Sequence, residues 1–134
     1  MLFNSPDWLN ILWSPRPHLG SSFNDREKDL EQFYGGITWE WEPIGPTFVD
    51  FSFGLSVHNG VNNTNDVNGV PDPDAGRRRE MGCKVLFRES LEFGFRFATR
   101  HGLSAIWDHI SNGGLCSKEN EGMDNLGVRY GYTF

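Results

Sequence analysis

The sequence predicts an all-β protein, an antiparallel up-and-down barrel of the membrane kind, and three observations carry that prediction. Apolar and polar residues alternate one by one over long stretches, large aromatics dominate the apolar positions, and long and short connections take turns along the chain. Successive side chains of a strand point to opposite faces, so strict alternation marks a strand with one greasy face and one polar face.

Six candidate strands follow in order, over residues 16–24, 33–43, 47–59, 81–97, 102–113 and 124–134. In "FYGGITWEWE", Phe33, Ile37, Trp39 and Trp41 oppose Tyr34, Thr38, Glu40 and Glu42. "FVDFSFGLSVHNG" sets Val49, Phe51, Phe53, Leu55 and Val57 against Asp50, Ser52, Gly54, Ser56 and His58. "VLFRESLEFGFRF" is the most regular, with Val85, Phe87, Leu91, Phe93, Phe95 and Phe97 apolar and only Glu89 breaking the odd series. "LSAIWDHISN" places Leu103, Ala105, Trp107, His109 and Ser111 on one face. "NLGVRYGYTF" closes the chain with Leu126, Val128, Tyr130, Tyr132 and Phe134 against Gly127, Arg129, Gly131 and Thr133.

The polar face decides which kind of barrel this is. Phe and Trp side chains in such number would overfill a small soluble barrel if they pointed inward. A membrane barrel inverts the arrangement, with apolar residues toward lipid and glycines, serines and paired charges filling a narrow lumen. Phe93, Phe95, Trp39 and Tyr132 are therefore expected outward, and Arg96, Glu40 and Arg129 inward. A mean hydropathy of −0.50 does not oppose this, because alternation averages a membrane barrel to polar.

The connections agree. "PIGP" and "TRHG" are short, whereas "DREKDLEQ", "NGVNNTNDVNGVPDPDAGRRR" and "LCSKENEGM" are long. Outer-membrane barrels have short periplasmic turns and longer outer loops, and the terminal aromatics resemble the last strand of such proteins. The smallest bacterial barrels have about eight strands. First strands and a signal peptide are thus expected to be missing, with "LF" the tail of another strand and "SPDWLNILWSPR" a periplasmic connection. The 134 residues make a single domain without repeat or linker. A formal net charge of −6 with no basic block excludes the electrostatic footprint of a nucleic-acid binder. No apolar run reaches the roughly 20 residues of a spanning helix, and "MLFNSPDWLN" lacks the layout of a signal peptide.

By strand parity, His109 and Ser111 share the lipid side near the outer end of their strand. A histidine facing lipid is costly unless it serves a function. Asp124 falls on the same face by the alternation of the next strand, so a nucleophile, a base and an orienting acid converge there. "HISNGGL" followed by "NEGMD" resembles the signature of the PagL family, lipid A 3-O-deacylases of Gram-negative outer membranes, in which His-x-Ser-Asn precedes an Asn-x-Gly-x-acid segment. The likeness extends to "RPHLG", "GLSVHNG" and "VLFRESLEFGFRF", with its specific part in residues 109–124.

That resemblance implies an eight-stranded outer-membrane barrel with a catalytic triad on its outer wall. It implies hydrolysis of the ester-linked 3-hydroxyacyl chain of lipid A, in lipopolysaccharide, without metal or other cofactor. Matched residue by residue, Ser111 is the nucleophile, His109 the base and Asp124 the orienting acid, with Asn112, Gly113 and Gly114 matching the oxyanion-hole region. Two departures stand out: the family's acid is usually Glu, and the loop before it is one residue longer, so Glu119 and Glu121 compete with Asp124 for the role. A phospholipase-like acyl hydrolase and a non-catalytic structural barrel remain the alternatives, and a homodimer is left open.

The other polar residues have plainer readings. His18 and His58 fall on the polar face, where lumen hydrogen bonding suits them, and His101 falls in a short turn. Glu40, Glu42, Asp50, Lys84, Arg88, Glu92, Arg96 and Arg129 form a balanced interior charge network. Cys83 and Cys116 lie at the same rim in an oxidising compartment and are disulfide candidates; they do not make a zinc site without further ligands.

Overall fold

A computed structural model describes residues 1–23, 31–60, 80–115 and 122–132. A short 3-10 helix, η1 (Asp7–Leu12), precedes six strands: β1 (Arg16–Ser22), β2 (Gln32–Trp41), β3 (Thr47–His58), β4 (Val85–Phe97), β5 (His101–Ser111) and β6 (Met123–Tyr132). They form one antiparallel meander, β1-β2-β3-β4-β5-β6, a half-barrel with β1 and β6 at its edges. At the β1 edge, Leu2 bridges His18 in antiparallel sense, and the Phe3 amide donates to the Pro17 carbonyl at 2.8 Å.

Each alternating run became a strand because its side chains can be sorted to two different media only in that conformation. Outward, Phe93, Phe95 and Tyr132 are exposed as expected, and Trp39 stacks on Phe51 with ring centroids 5.9 Å apart. Inward lie Ser52, Ser56, Arg88, Ser90, Glu92, Ser104 and Asp108, all buried.

Most interior charges are paired, but Asp50, expected in the same network, is buried with no ion pair among the described residues and keeps an Oδ1 without a hydrogen-bond partner. Arg88 Nε donates to Asp108 at 3.2 Å while its guanidinium lies 3.9 Å from the centre of the Tyr34 ring. Arg96 spans Glu40 and Glu42, each at 2.6 Å, and Arg129 and Ser104 both donate to Glu92. Lys84 stands apart from this network: it is exposed and precedes β4. The stretch 81–84, expected as strand, is a bend instead, because Met81 and Cys83 turn inward to join Leu86, Ile110 and Met123 in an apolar cluster at the long-loop end of the lumen. Phe48 fills the opposite end, its ring 4.8 Å from the Arg96 guanidinium. The concave face of the half-barrel is thus polar in its middle, with apolar side chains at both ends.

Connections of residues 42–46 and 98–100 lie at one end, and the longer β1–β2, β3–β4 and β5–β6 connections lie at the other. No helix among the described residues is long and apolar enough to cross a membrane.

Candidate active site

Register brings the candidate residues together at the long-loop end of the outward face. His109 on β5 pairs directly with Asp124 on β6, and Ser111 pairs with Phe87 on β4. Residues directly opposite in an antiparallel ladder present their side chains on the same face, within reach of one another. The consequence is a hydrogen bond between His109 Nδ1 and Asp124 Oδ1 of 3.0 Å. With Nδ1 held by the carboxylate, Nε2 is the ring nitrogen left for a proton to be taken from elsewhere.

Two further contacts orient the imidazole. The Trp107 indole lies nearly parallel to it, at an interplanar angle of 23° and a centroid distance of 6.3 Å. Gly122, with φ of +60°, immediately precedes β6 beside the ring, where an added Cβ would come 3.4 Å from His109 Cε1. Ser111 is two positions along the same face from His109, at the end of β5. Their side chains are neighbours without a mutual hydrogen bond in this structure; nucleophile–base bonds are often looser before substrate is bound.

The turn after Ser111 departs from the simplest oxyanion-hole expectation. Asn112 is 1% exposed and faces inward. Its Nδ2 donates to the Met81 carbonyl at 3.0 Å, and its Oδ1 accepts from the Gly114 amide at 2.6 Å. The side chain therefore ties the loop to the apolar cluster rather than projecting beside Ser111. Gly113 and Gly114 are exposed and left-handed, with φ of +62° and +73°, a conformation that favours glycine. A Cβ at Gly113 would come 3.3 Å from Phe87, the residue paired with Ser111.

One residue escaped the sequence reading. Glu89 pairs with His109 on the side opposite Asp124, and with Phe53 on β3. It is half-buried on a face that is otherwise apolar along β4. The signal was present in the alternation, as the single break in the odd series, but the partner opposite it was not. Glu119, Glu121 and Cys116 lie outside the described residues, while Cys83 is disulfide-bonded.

The remaining histidines are structural. His18 Nδ1 meets Thr38 Oγ1 at 3.0 Å, and Thr38 continues to Ser52 at 2.8 Å. His58 Nε2 contacts the Cys83 carbonyl at 2.6 Å and Nδ1 accepts from the Gly60 amide at 3.0 Å, which fixes the rim below the long loop. His101 is the first residue of β5 rather than a turn residue; its pairing with Tyr132 and its contact with the Tyr130 hydroxyl draw it into the ladder. Among the described residues, no group of three or more His, Cys, Asp or Glu side chains could hold a metal ion.

Comparisons with known proteins accord with the fold. The family model for lipid A 3-O-deacylase (PagL) matches residues 3–133. The solved structure described as the outer membrane enzyme PagL superposes with a TM-score of 0.69 at 17% identity, covering 90% of this chain and 75% of that one. Among curated proteins none matches.

Proposed function

Because the chain belongs to the PagL family of lipid A 3-O-deacylases, we propose that it is an outer-membrane serine esterase that removes the 3-O-linked acyl chain of lipid A through Ser111, His109 and Asp124. The observation that carries this reading is the 3.0 Å bond between His109 Nδ1 and Asp124 Oδ1, made on the outward face with a serine two positions along. A histidine and a carboxylate there are costly in contact with lipid and gain a purpose only if the substrate itself is a lipid. The outward aromatic wall and the polar concave face support placement in a bilayer.

In the proposed reaction, His109 Nε2 takes the Ser111 hydroxyl proton as Oγ attacks the ester carbonyl. Asp124 stabilises the resulting imidazolium and holds its tautomer. Collapse of the tetrahedral intermediate breaks the bond to the sugar oxygen, which receives the proton from His109. Water, activated by the same imidazole, then cleaves the acyl-serine and releases the fatty acid. The oxyanion donors we propose are backbone amides of the turn after Ser111, and the Asn112 side chain acts by holding that turn.

Lipid A and phosphatidylethanolamine, incubated separately with the purified protein, test the reading by mass spectrometry of the released fatty acids. Release of a 3-hydroxy fatty acid from lipid A alone is expected. Release from the phospholipid at an equal rate would favour a phospholipase, and release from neither would leave a structural barrel.

A further inference from the structure

The short-turn end of the molecule carries a feature that deacylation does not use. In η1, Trp8 is 74% exposed and Ile11 86%, while Leu9 is 3% exposed. Residues three apart eclipse on a 3-10 helix, so Trp8 and Ile11 share one ridge and Leu9 points away from it into the protein. The helix ends on Trp13, which is 89% exposed although its backbone is left-handed, with φ of +62°, and Ser14 follows at +54°. Non-glycine residues resist that conformation, and such strain persists where surrounding contacts or a function demand it. Here the left-handed pair accompanies a large aromatic left almost wholly exposed beside β2.

The position of η1 says what it faces. Trp39, on the outward wall of β2, donates from Nε1 to the Leu12 carbonyl at 2.8 Å, so the end of the helix is tied to the wall that faces lipid. Trp13, Trp39 and Trp41 line a common depression there together with Ser14, Arg16 and Glu40. The turn after β2 adds the exposed Ile44. Indole rings gather at the boundary between headgroups and acyl chains, and barrels carry aromatic girdles at that depth.

We propose that η1 is an in-plane anchor: Trp8, Ile11 and Trp13 are seated in the headgroup–acyl boundary of the phospholipid leaflet at the short-turn end. The helix extends the outward wall sideways and resists sliding of a small barrel along the bilayer normal. This inference rests on the outer-membrane reading above, and one experiment separates the two.

The chain has five tryptophans, so single-tryptophan variants can be made by replacing the other four with phenylalanine. Variants retaining Trp13 or Trp107 are folded into vesicles of phosphatidylethanolamine and phosphatidylglycerol doped with phospholipids brominated at graded acyl depths. Folding is verified by the gel mobility of unheated against boiled protein. Trp107, on the outward wall of β5, reports whether the barrel is in the bilayer at all. For Trp13, the strongest quenching is expected from the shallowest bromine, with acrylamide accessibility at least threefold below that of the unfolded chain. Quenching of Trp107 but not of Trp13 overturns the anchor and leaves the barrel in the membrane; quenching of neither overturns the membrane reading itself. Loss of Trp13 acrylamide accessibility that grows with protein-to-lipid ratio, without bromolipid quenching, assigns the ridge to a second copy and also overturns the anchor. Should the fourfold replacement prevent folding, Trp8→Leu with Trp13→Leu in the native background serves instead: the emission lost to bromolipid per mole of protein is expected to fall by about a third or more, and an unchanged loss rejects the proposal.

Discussion

His109 and Asp124 face each other across β5 and β6 in direct register, with Nδ1 and Oδ1 3.0 Å apart. A carboxylate in that position fixes the imidazole tautomer and stabilises its charged form. Asp124→Asn is expected to lower turnover on lipid A severely, on the order of 10⁴-fold by analogy with other serine triads. Asp124→Glu, which restores the family's usual acid, is expected to retain part of the activity. Glu119→Gln and Glu121→Gln should change turnover far less. An inactive Glu121→Gln beside an active Asp124→Asn would move the orienting acid into the loop.

Ser111→Ala is expected to abolish deacylation and leave folding intact, since a hydroxyl at the rim of the sheet contributes little to stability. His109→Asn should do the same, because an unassisted serine is a weak nucleophile at neutral pH. The measurement is fatty-acid release per folded protein, with folding read from gel mobility. Wild-type turnover in the serine variant would remove Ser111 from the mechanism.

Glu89 flanks His109 from the other side, on β4. Since Asp124 already holds Nδ1, Glu89→Gln is expected to reduce kcat by less than about tenfold, well short of the effect expected for Asp124→Asn. A loss equal to that of Asp124→Asn would transfer the orienting role from β6 to β4.

Asp108 is the neighbour of His109 in sequence and its opposite in direction, buried against Arg88 at 3.2 Å. Asp108→Ala leaves a buried guanidinium without its counter-charge, and such a change costs about 3–5 kcal/mol. A lower unfolding midpoint in urea is expected, with activity per folded molecule near that of the parent. Activity lost at unchanged stability would give Asp108 a part in the chemistry.

Cys83 is disulfide-bonded and Cys116 is the sequence's other cysteine, so we propose that the two are bridged. Removing a disulfide from a small domain costs about 2–5 kcal/mol. Reductant is expected to lower the thermal midpoint of the parent and to leave Cys83→Ser unaffected. Alkylation of both thiols in unreduced protein would exclude the bridge.

The sequence by itself determined the number of strands and the facing of most side chains within them, because that information is local: a period of two assigns Phe93 and Arg96 to opposite faces whatever lies next to them. For the same reason His109, Ser111 and Asp124 could be placed on one face before any coordinates were known. Tertiary structure alone decided what is not local. Register put Asp124 opposite His109 and also put Glu89 there, and pairing between strands separated along the chain is written in no single segment. Packing turned Asn112 inward to the Met81 carbonyl, bent residues 81–84 out of the expected strand and drew His101 into one. In "SPDWLNILWSPR" the period of two disappears, so nothing in the sequence reported that Leu12 would meet Trp39 and that Trp13 would stand clear of the protein. Alternation assigns direction to side chains; only the pairing of strands assigns them neighbours.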